Sequence, residues 1–481
     1  MNMASKDQST VHFVQGFHTE NKSPAVMRTV VAILCFFGIM QPGWTQSNWA
    51  PAGIPFNIYS IRCLYHDAVD NTLWVGGDIR DGFESWKKVL LKYDGQVWTS
   101  YGYFNSTILA ITRFQEKIIV AGFFTQYNDT PCQKIAYLEG DEFLPLGTGS
   151  DGVIQQLEVM DESLFICGTF SYVDDAQCNM VAVYDGANWY PLEGLPEVVN
   201  TDQASTIAKY GGKYWLGGNY DPIAWEETDE SDIFFGQDDN WQPAAGGILG
   251  SISDVRDIEV YNGELIIGGS IYQSAGNAGN SIQLWNGSEW LELGGSLTGE
   301  NFSTSQFGPV EDLDVYEDKL FIAGSFVNAG DIYSPYFTVW DGEKYCALGG
   351  EFTGYGGGGQ LEFYNDTLYI ACRDTVDGQF VNNLAKYVGD WEFDLCSSVS
   401  LEEQKTNDLH IFPNPANNNI EIQCNEPITK VTVYDGSGHK VQEYLVNSPS
   451  FTMKIEPKSS GIYLLRIETS HHDYLRKLIY E

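Results

Sequence analysis

The chain has 481 residues, 43% hydrophobic and 14% aromatic with 50 glycines, a composition that fits a turn-rich all-β protein and excludes a disordered one. Residues 47–400 hold 15 Lys/Arg and 52 Asp/Glu, so −37 of the formal charge of −39 lies there. Such a surface repels nucleic acid and anionic membranes, and neither is an expected partner.

Taken in order, residues 1–26 are polar and without period and read as an over-extended start, with Met27 the initiator. Arg28 then precedes the apolar run Val30 to Met40, with Gly43 and Thr45 close behind it. A basic start, a short apolar run and small residues after it describe a secretory signal peptide over 27–46, cleaved near Thr45 or Gln46. The run is too short to cross a bilayer, so no transmembrane segment is expected in the mature chain.

From residue 47 onward a unit recurs seven times. Its first half is an apolar strand that ends in Gly: Leu73 to Gly77, Ile118 to Gly122, Leu164 to Gly168, Tyr214 to Gly218, Leu265 to Gly269, Leu320 to Gly324 and, with Cys in the last place, Leu368 to Cys372. Its second half sets an aromatic after a tight turn, as in Asp94-Gly95 with Trp98, Asp185-Gly186 with Trp189, Asn286-Gly287 with Trp290 and Gly389 with Trp391. Each copy accommodates four strands, a to d, with Asn-Gly and Asp-Gly supplying the positive φ of two-residue hairpin turns. No such sheet buries both faces alone, so the copies must stack in a ring. The expected fold is all-β, a seven-bladed β-propeller of four-stranded blades over 47–396, a linker at 397–408 and a small Ig-like β-sandwich at 409–481. Through the strand ending in Gly-Gly and the later Trp, the repeats resemble kelch-like and galactose-oxidase-like propellers.

Eight cysteines follow the signal peptide, and Cys132 and Cys178 share the b–c loop of adjacent copies, where a disulfide is permitted. Cys167 and Cys372 replace small residues on strand b and read as buried thiols. Between 47 and 400 the one histidine is His66, which gives no support to a Ser/His/Asp triad or a His-ligated metal. One column of strand a carries Leu64, Thr112, Glu158, Ala208, Glu259, Asp314 and Glu362. If strand a is innermost, Glu158, Glu259, Asp314 and Glu362 approach one another in the channel, where repulsion raises their pKa values or recruits a cation such as Ca²⁺; a hydrated wall is the preferred reading. The recurrent Trp column is what packing between blades requires. Strand parity places the d–a and b–c loops on one face, and the aromatics Trp86, Trp225, Phe302, Tyr333 and Tyr355 in those loops are candidate ligand-binding residues.

Beyond the linker come short alternating strands: Leu409–Phe412, Asn419–Gln423, Thr429–Tyr434, Val441–Val446, Phe451–Ile455, Ile462–Glu468 and Tyr474–Tyr480. Ile411-Phe412-Pro413-Asn414-Pro415-Ala416, then Val431 to Asp435 with Gly436 and Gly438, then Ser460-Gly461-Ile462-Tyr463, then Lys477 to Tyr480, closely resemble the type IX secretion C-terminal sorting domain of Bacteroidetes proteins. The resemblance implies passage through the periplasm, an outer-membrane translocon as partner, and release or display at the cell surface. Together these readings give a secreted or surface propeller that binds an extracellular glycan or protein without catalysis; the alternative is a carboxylate-dependent polysaccharide hydrolase or lyase.

Overall fold

Turn chemistry sets the strands. In the computed structural model both residues of the a–b turns have positive φ at Asp161 and Glu162, Asn262 and Gly263, Glu317 and Asp318, and Asn365 and Asp366, the type I′ geometry that matches strand twist. The c–d turns differ from expectation by one residue. Gly95, Gly186, Gly287 and Gly342 take the first central position, at φ of 91, 98, 97 and 101°. The preceding Asp94, Asp185, Asn286 and Asp341 each accept two following backbone N–H groups at Oδ1. Asp-Gly is therefore a cap plus a type II′ turn.

The structure describes residues 47–80, 87–195, 203–219, 230–238, 240–244, 247–249, 254–299, 308–353, 359–389, 409–412, 419–434, 440–454, 461–469 and 473–480. The start at 1–26, the signal peptide at 27–46 and the linker at 397–408 lie outside them. Among the described residues seven antiparallel sheets contain the a–b–c–d path. Their first strands are Asn57–Asp67, Ile108–Phe114, Ile154–Met160, Gln203–Tyr210, Asp254–Tyr261, Val310–Tyr316 and Leu361–Tyr364. Each strand a packs on the next, and the seventh packs on the first, so the inner strands close a ring. Apolar cores fill the space between adjacent sheets, as between Ile266, Ile282 and Leu313, Ile322. The one helical turn among the described residues is Gln273–Ala275.

The ring closes differently from expectation. The fourth strand of the seventh sheet is Trp49–Pro51, from the other end of the repeat region, paired Trp49↔Tyr387 and Pro51↔Ala385. Trp391 lies outside the described residues. Trp49 occupies the same register as Trp98↔Tyr93, Trp189↔Tyr184 and Trp290↔Trp285. The column is structural: Nε1 of Trp49, Trp98, Trp241 and Trp290 donates to the carbonyl of Gly349, Ala52, Glu193 and Ala244, each just past strand d of the preceding sheet, at 2.9–3.0 Å. The b–c connections are also tied down. Hairpins such as Asn328–Ala329 with Ile332–Tyr333 and Thr375–Val376 with Gln379–Phe380 pair with the chain leaving the preceding sheet, through Leu297↔Ala329 and Phe352↔Val376.

Cys132 and Cys178 are buried and free, so their shared column does not bring them together; Cys167 and Cys372 are the buried thiols expected. Cys346 is disulfide-bonded. Among the described residues of the tail, five strands stand where seven were expected. Asn419–Tyr434 and Lys440–Lys454 each run through two of the short segments, with the register broken between Gln423 and Ile428. Ile420, Ile422, Val431, Val433, Leu465, Ile467 and Leu478 form its core.

Candidate functional site

The site begins with an irregularity repeated in strand a. Register shifts fall between Ile61/Cys63, Ile108/Ala110, Ile154/Gln156, Ala204/Thr206, Val255/Asp257 and Val310/Asp312. Each is a β-bulge one residue after a buried apolar residue, Ile61, Ile108, Ile154, Ala204, Val255 or Val310. The glycine that ends strand b is its counterpart. A Cβ on Gly77, Gly122, Gly168, Gly218, Gly269 or Gly324 would stand 2.0–2.4 Å from the carbonyl oxygen that precedes the bulge. The repeat's most visible sequence mark thus exists because the bulged backbone leaves no space for a side chain.

The bulged residues are Arg62, Leu109, Gln155, Ser205, Arg256 and Glu311, and they turn towards the ring axis. With Gly359 of the seventh sheet they line a cavity of about 590 Å³, and behind them stand Cys63, Ala110, Gln156, Asp257, Asp312 and Gln360. The bulges lie at the start of strand a, so the cavity opens on the face of the d–a and b–c loops.

A bulge leaves backbone N–H groups without ladder partners, and the second row supplies them from the neighbouring sheet. Gln156 Oε1 accepts from Ile207 N, Asp257 Oδ2 from Leu313 N and Asp312 Oδ2 from Leu361 N, all at 2.7 Å. Burial drives the Asp257 carboxyl up to about 6 despite that bond, and raises Asp312 further with Asp257 adding repulsion. At the rim Arg256 is engaged on three sides: it pairs with Glu311, donates Nε to Asp254 at 3.1 Å and Nη2 to Ser270 at 2.9 Å. Burial raises the Glu311 carboxyl, and Arg256 opposes it. Arg62 is exposed and has no hydrogen bond or ion pair among the described residues.

The expected acidic column exists and lies deeper along the same strands. Glu158↔Phe165, Glu259↔Ile266, Asp314↔Phe321 and Glu362↔Tyr369 share one register. Burial first, then repulsion from Glu259, lifts Glu158 to about 7; burial and Asp257 lift Glu259 to about 7; burial, Glu362 and Glu259 lift Asp314 to about 8. Burial also raises Glu362, which accepts His66 N at 3.0 Å. Among the described residues no three His, Cys, Asp or Glu side chains are close enough to share a metal ion.

Of the candidate aromatics, Tyr333 sits at a b–c hairpin, 69% exposed, and is not part of the cavity wall. Trp86, Trp225, Phe302 and Tyr355 lie outside the described residues. Sequence reasoning missed the bulge row. The signal was present as a break in alternation, Ile-Arg-Cys-Leu, Ile-Gln-Gln-Leu, Val-Arg-Asp-Ile and Val-Glu-Asp-Leu, where two residues stand between apolar ones instead of one.

In the tail, Tyr463 is buried against Tyr480 at 6.5 Å between ring centroids, Gly461 opens strand Gly461–Thr469, and Lys477 pairs with Leu464. Pro413, Asn414, Pro415, Asp435, Gly436 and Gly438 lie outside the described residues. The family model described as secretion system C-terminal sorting domain matches residues 410–481. These residues are a type IX sorting domain. Because it carries that domain, the protein is secreted or displayed at the cell surface.

No curated protein matches the chain. Among solved structures it is similar to PorZ, a bacterial surface component of the type IX secretion system of Porphyromonas gingivalis, at 12% identity and a TM-score of 0.44 over 89% of this chain and 60% of that one. It is also similar to the extracellular domain of BT4673 from B. thetaiotaomicron, at 11% identity and a TM-score of 0.43 over 91% and 58%. The β-propeller domain of a Pyrococcus furiosus protease matches at 11% identity and a TM-score of 0.35 over 71% and 99%. The chain thus spans about three-fifths of the first two. Among the described residues no helix is long and apolar enough to cross a membrane.

Proposed function

We propose that residues 47–396 form a seven-bladed, kelch-like β-propeller that binds an extracellular glycan at the mouth of its channel without turning it over. The sandwich-like sorting domain at 409–481 would be handed to the type IX outer-membrane translocon after a signal peptide at 27–46 has directed export. The observation that carries the reading is the cavity: about 590 Å³, inside the range of small-ligand sites, and walled by residues from all seven sheets. Its lining is polar and hydrogen-bonding, which suits hydroxyl groups. A glycan array combined with a turnover screen on the mature chain tests it. Binding without product, abolished by Ser205→Trp, supports the reading; binding unaffected by that variant rejects the channel mouth.

A carboxylate-dependent hydrolase or lyase is the second reading, favoured by Asp257 in the cavity wall with its carboxyl near 6, where acid–base chemistry operates. Product formation lost in Asp257→Asn would establish it.

A further inference from the structure

We propose that the sugar held at the channel mouth carries a carboxylate, and that Arg62 is the residue that takes it. This deepens the glycan reading above and rests on it. Residues 47–400 contain 52 acids against 15 bases, so a guanidinium there is surrounded by potential partners. Arg80 is indeed paired with Asp78, Arg113 with Asp67 and Asp70, and Arg256 with Asp254 and Glu311. Arg62 has no hydrogen bond or ion pair among the described residues; Glu311 in the same wall feels its charge without bonding to it. An arginine left unpaired inside a cavity keeps its planar fork free for a bidentate bond to a carboxylate.

The rest of the wall argues for a single negative charge on a hydroxylated body. Arg256 is engaged by its own carboxylates, so among the described residues the mouth offers one free cation and not two. Gln155, Gln203, Gln360 and Ser205 supply neutral donors and acceptors, and Asp254 and Glu311 retain acceptor capacity towards hydroxyls. A dianion such as a phosphate would meet those carboxylates with only Arg62 to offset them. Among the described residues the cavity wall is polar and aliphatic, and its polar groups would orient the ring.

The test is calorimetric titration of the mature full chain with a glucuronic-acid-terminated disaccharide and with its neutral glucose-terminated counterpart. The acid is expected to bind at least about tenfold tighter, Arg62→Ala to erase that preference, Arg62→Lys to keep part of it, and Glu264→Gln at the exposed a–b turn to change nothing. Equal affinities, or a preference that survives Arg62→Ala, overturns the proposal. Equal binding of the two sugars that Ser205→Trp abolishes and Arg62→Ala leaves unchanged rejects the carboxylate and leaves the glycan reading standing; binding of neither sugar rejects both.

Discussion

Asp257 Oδ2 accepts the backbone N–H of Leu313 at 2.7 Å across the boundary between the fifth and sixth sheets, while its Oδ1 accepts Ile258 N at 2.9 Å. One buried carboxylate therefore satisfies two amides that the bulge and the ring geometry leave without ladder partners. Asp257→Ala should cost about 1–3 kcal/mol for the orphaned amide. Asp257→Asn keeps an acceptor and removes the buried charge, so its melting temperature near neutrality should equal or exceed that of the wild type. Equal destabilisation by both variants would mean the carboxylate's charge, not its acceptor role, holds the sheets together.

Gly168 tests the link between repeat motif and site. A Cβ there would stand 2.0 Å from the Val153 carbonyl oxygen, backbone that cannot move aside without straightening the bulge. Gly168→Ala should destabilise by at least about 1–3 kcal/mol. Gly140 has positive φ, 64°, but open space around it, so Gly140→Ala should cost only about 1 kcal/mol. Denaturant melts of the two variants decide; similar losses would remove the steric account of the recurring glycine.

That glycine marks the boundary of what the sequence makes legible. Its spacing, the a–b turns and the Trp column are local signals that recur in at least five of the seven copies, and repetition makes a weak local signal readable. The bulge row was not read because a bulge is an insertion of one residue into a period of two, and Arg62, Gln155 or Glu311 looks like ordinary strand polarity until the register is known. Trp49 was missed for the opposite reason: its partner Tyr387 is more than 300 residues away, and a lone three-residue strand has no period. In the tail, Asn419–Tyr434 carries no proline or glycine at its register break except Pro427, so two short strands and one long irregular strand have the same pattern.

Trp49 supplies the next prediction. It meets Phe337, Phe352 and Tyr387 edge-on at 5.2–6.1 Å and donates Nε1 to Gly349 O, so the ring's closure depends on one aromatic anchor. Trp49→Ala should cost about 3–5 kcal/mol and expose the seventh sheet to limited proteolysis first. Trp49→Phe should lose the Gly349 hydrogen bond while keeping most of the packing. Unchanged proteolytic resistance in Trp49→Ala would show that the ring holds without its N-terminal strand.

The channel carboxylates give a stability profile whose sign is opposite to that of ordinary acid unfolding. Burial is the largest cause of the rise in Glu158 to about 7, Glu259 to about 7 and Asp314 to about 8. The unfolded chain releases these protons at about pH 4, whereas the folded chain keeps them. Between those limits the native state binds more protons, so stability falls as pH rises and is lost progressively up to about pH 8. A shift of this size corresponds to roughly 3 kcal/mol for a group such as Glu158. Carboxylates held below their usual range, Asp67 by Arg113 and Asp78 by Arg80 and Lys88 against the cost of burial, act in a separate window and lose their contribution only as pH falls below about 4. Thermal unfolding should therefore be highest at about pH 5 and fall towards about pH 8.5, and the triple variant Glu158→Gln, Glu259→Gln, Asp314→Asn should flatten that slope and melt above the wild type at the alkaline end. A melting temperature that rises with pH, or a slope that survives the triple substitution, would place the proton uptake elsewhere than in the channel.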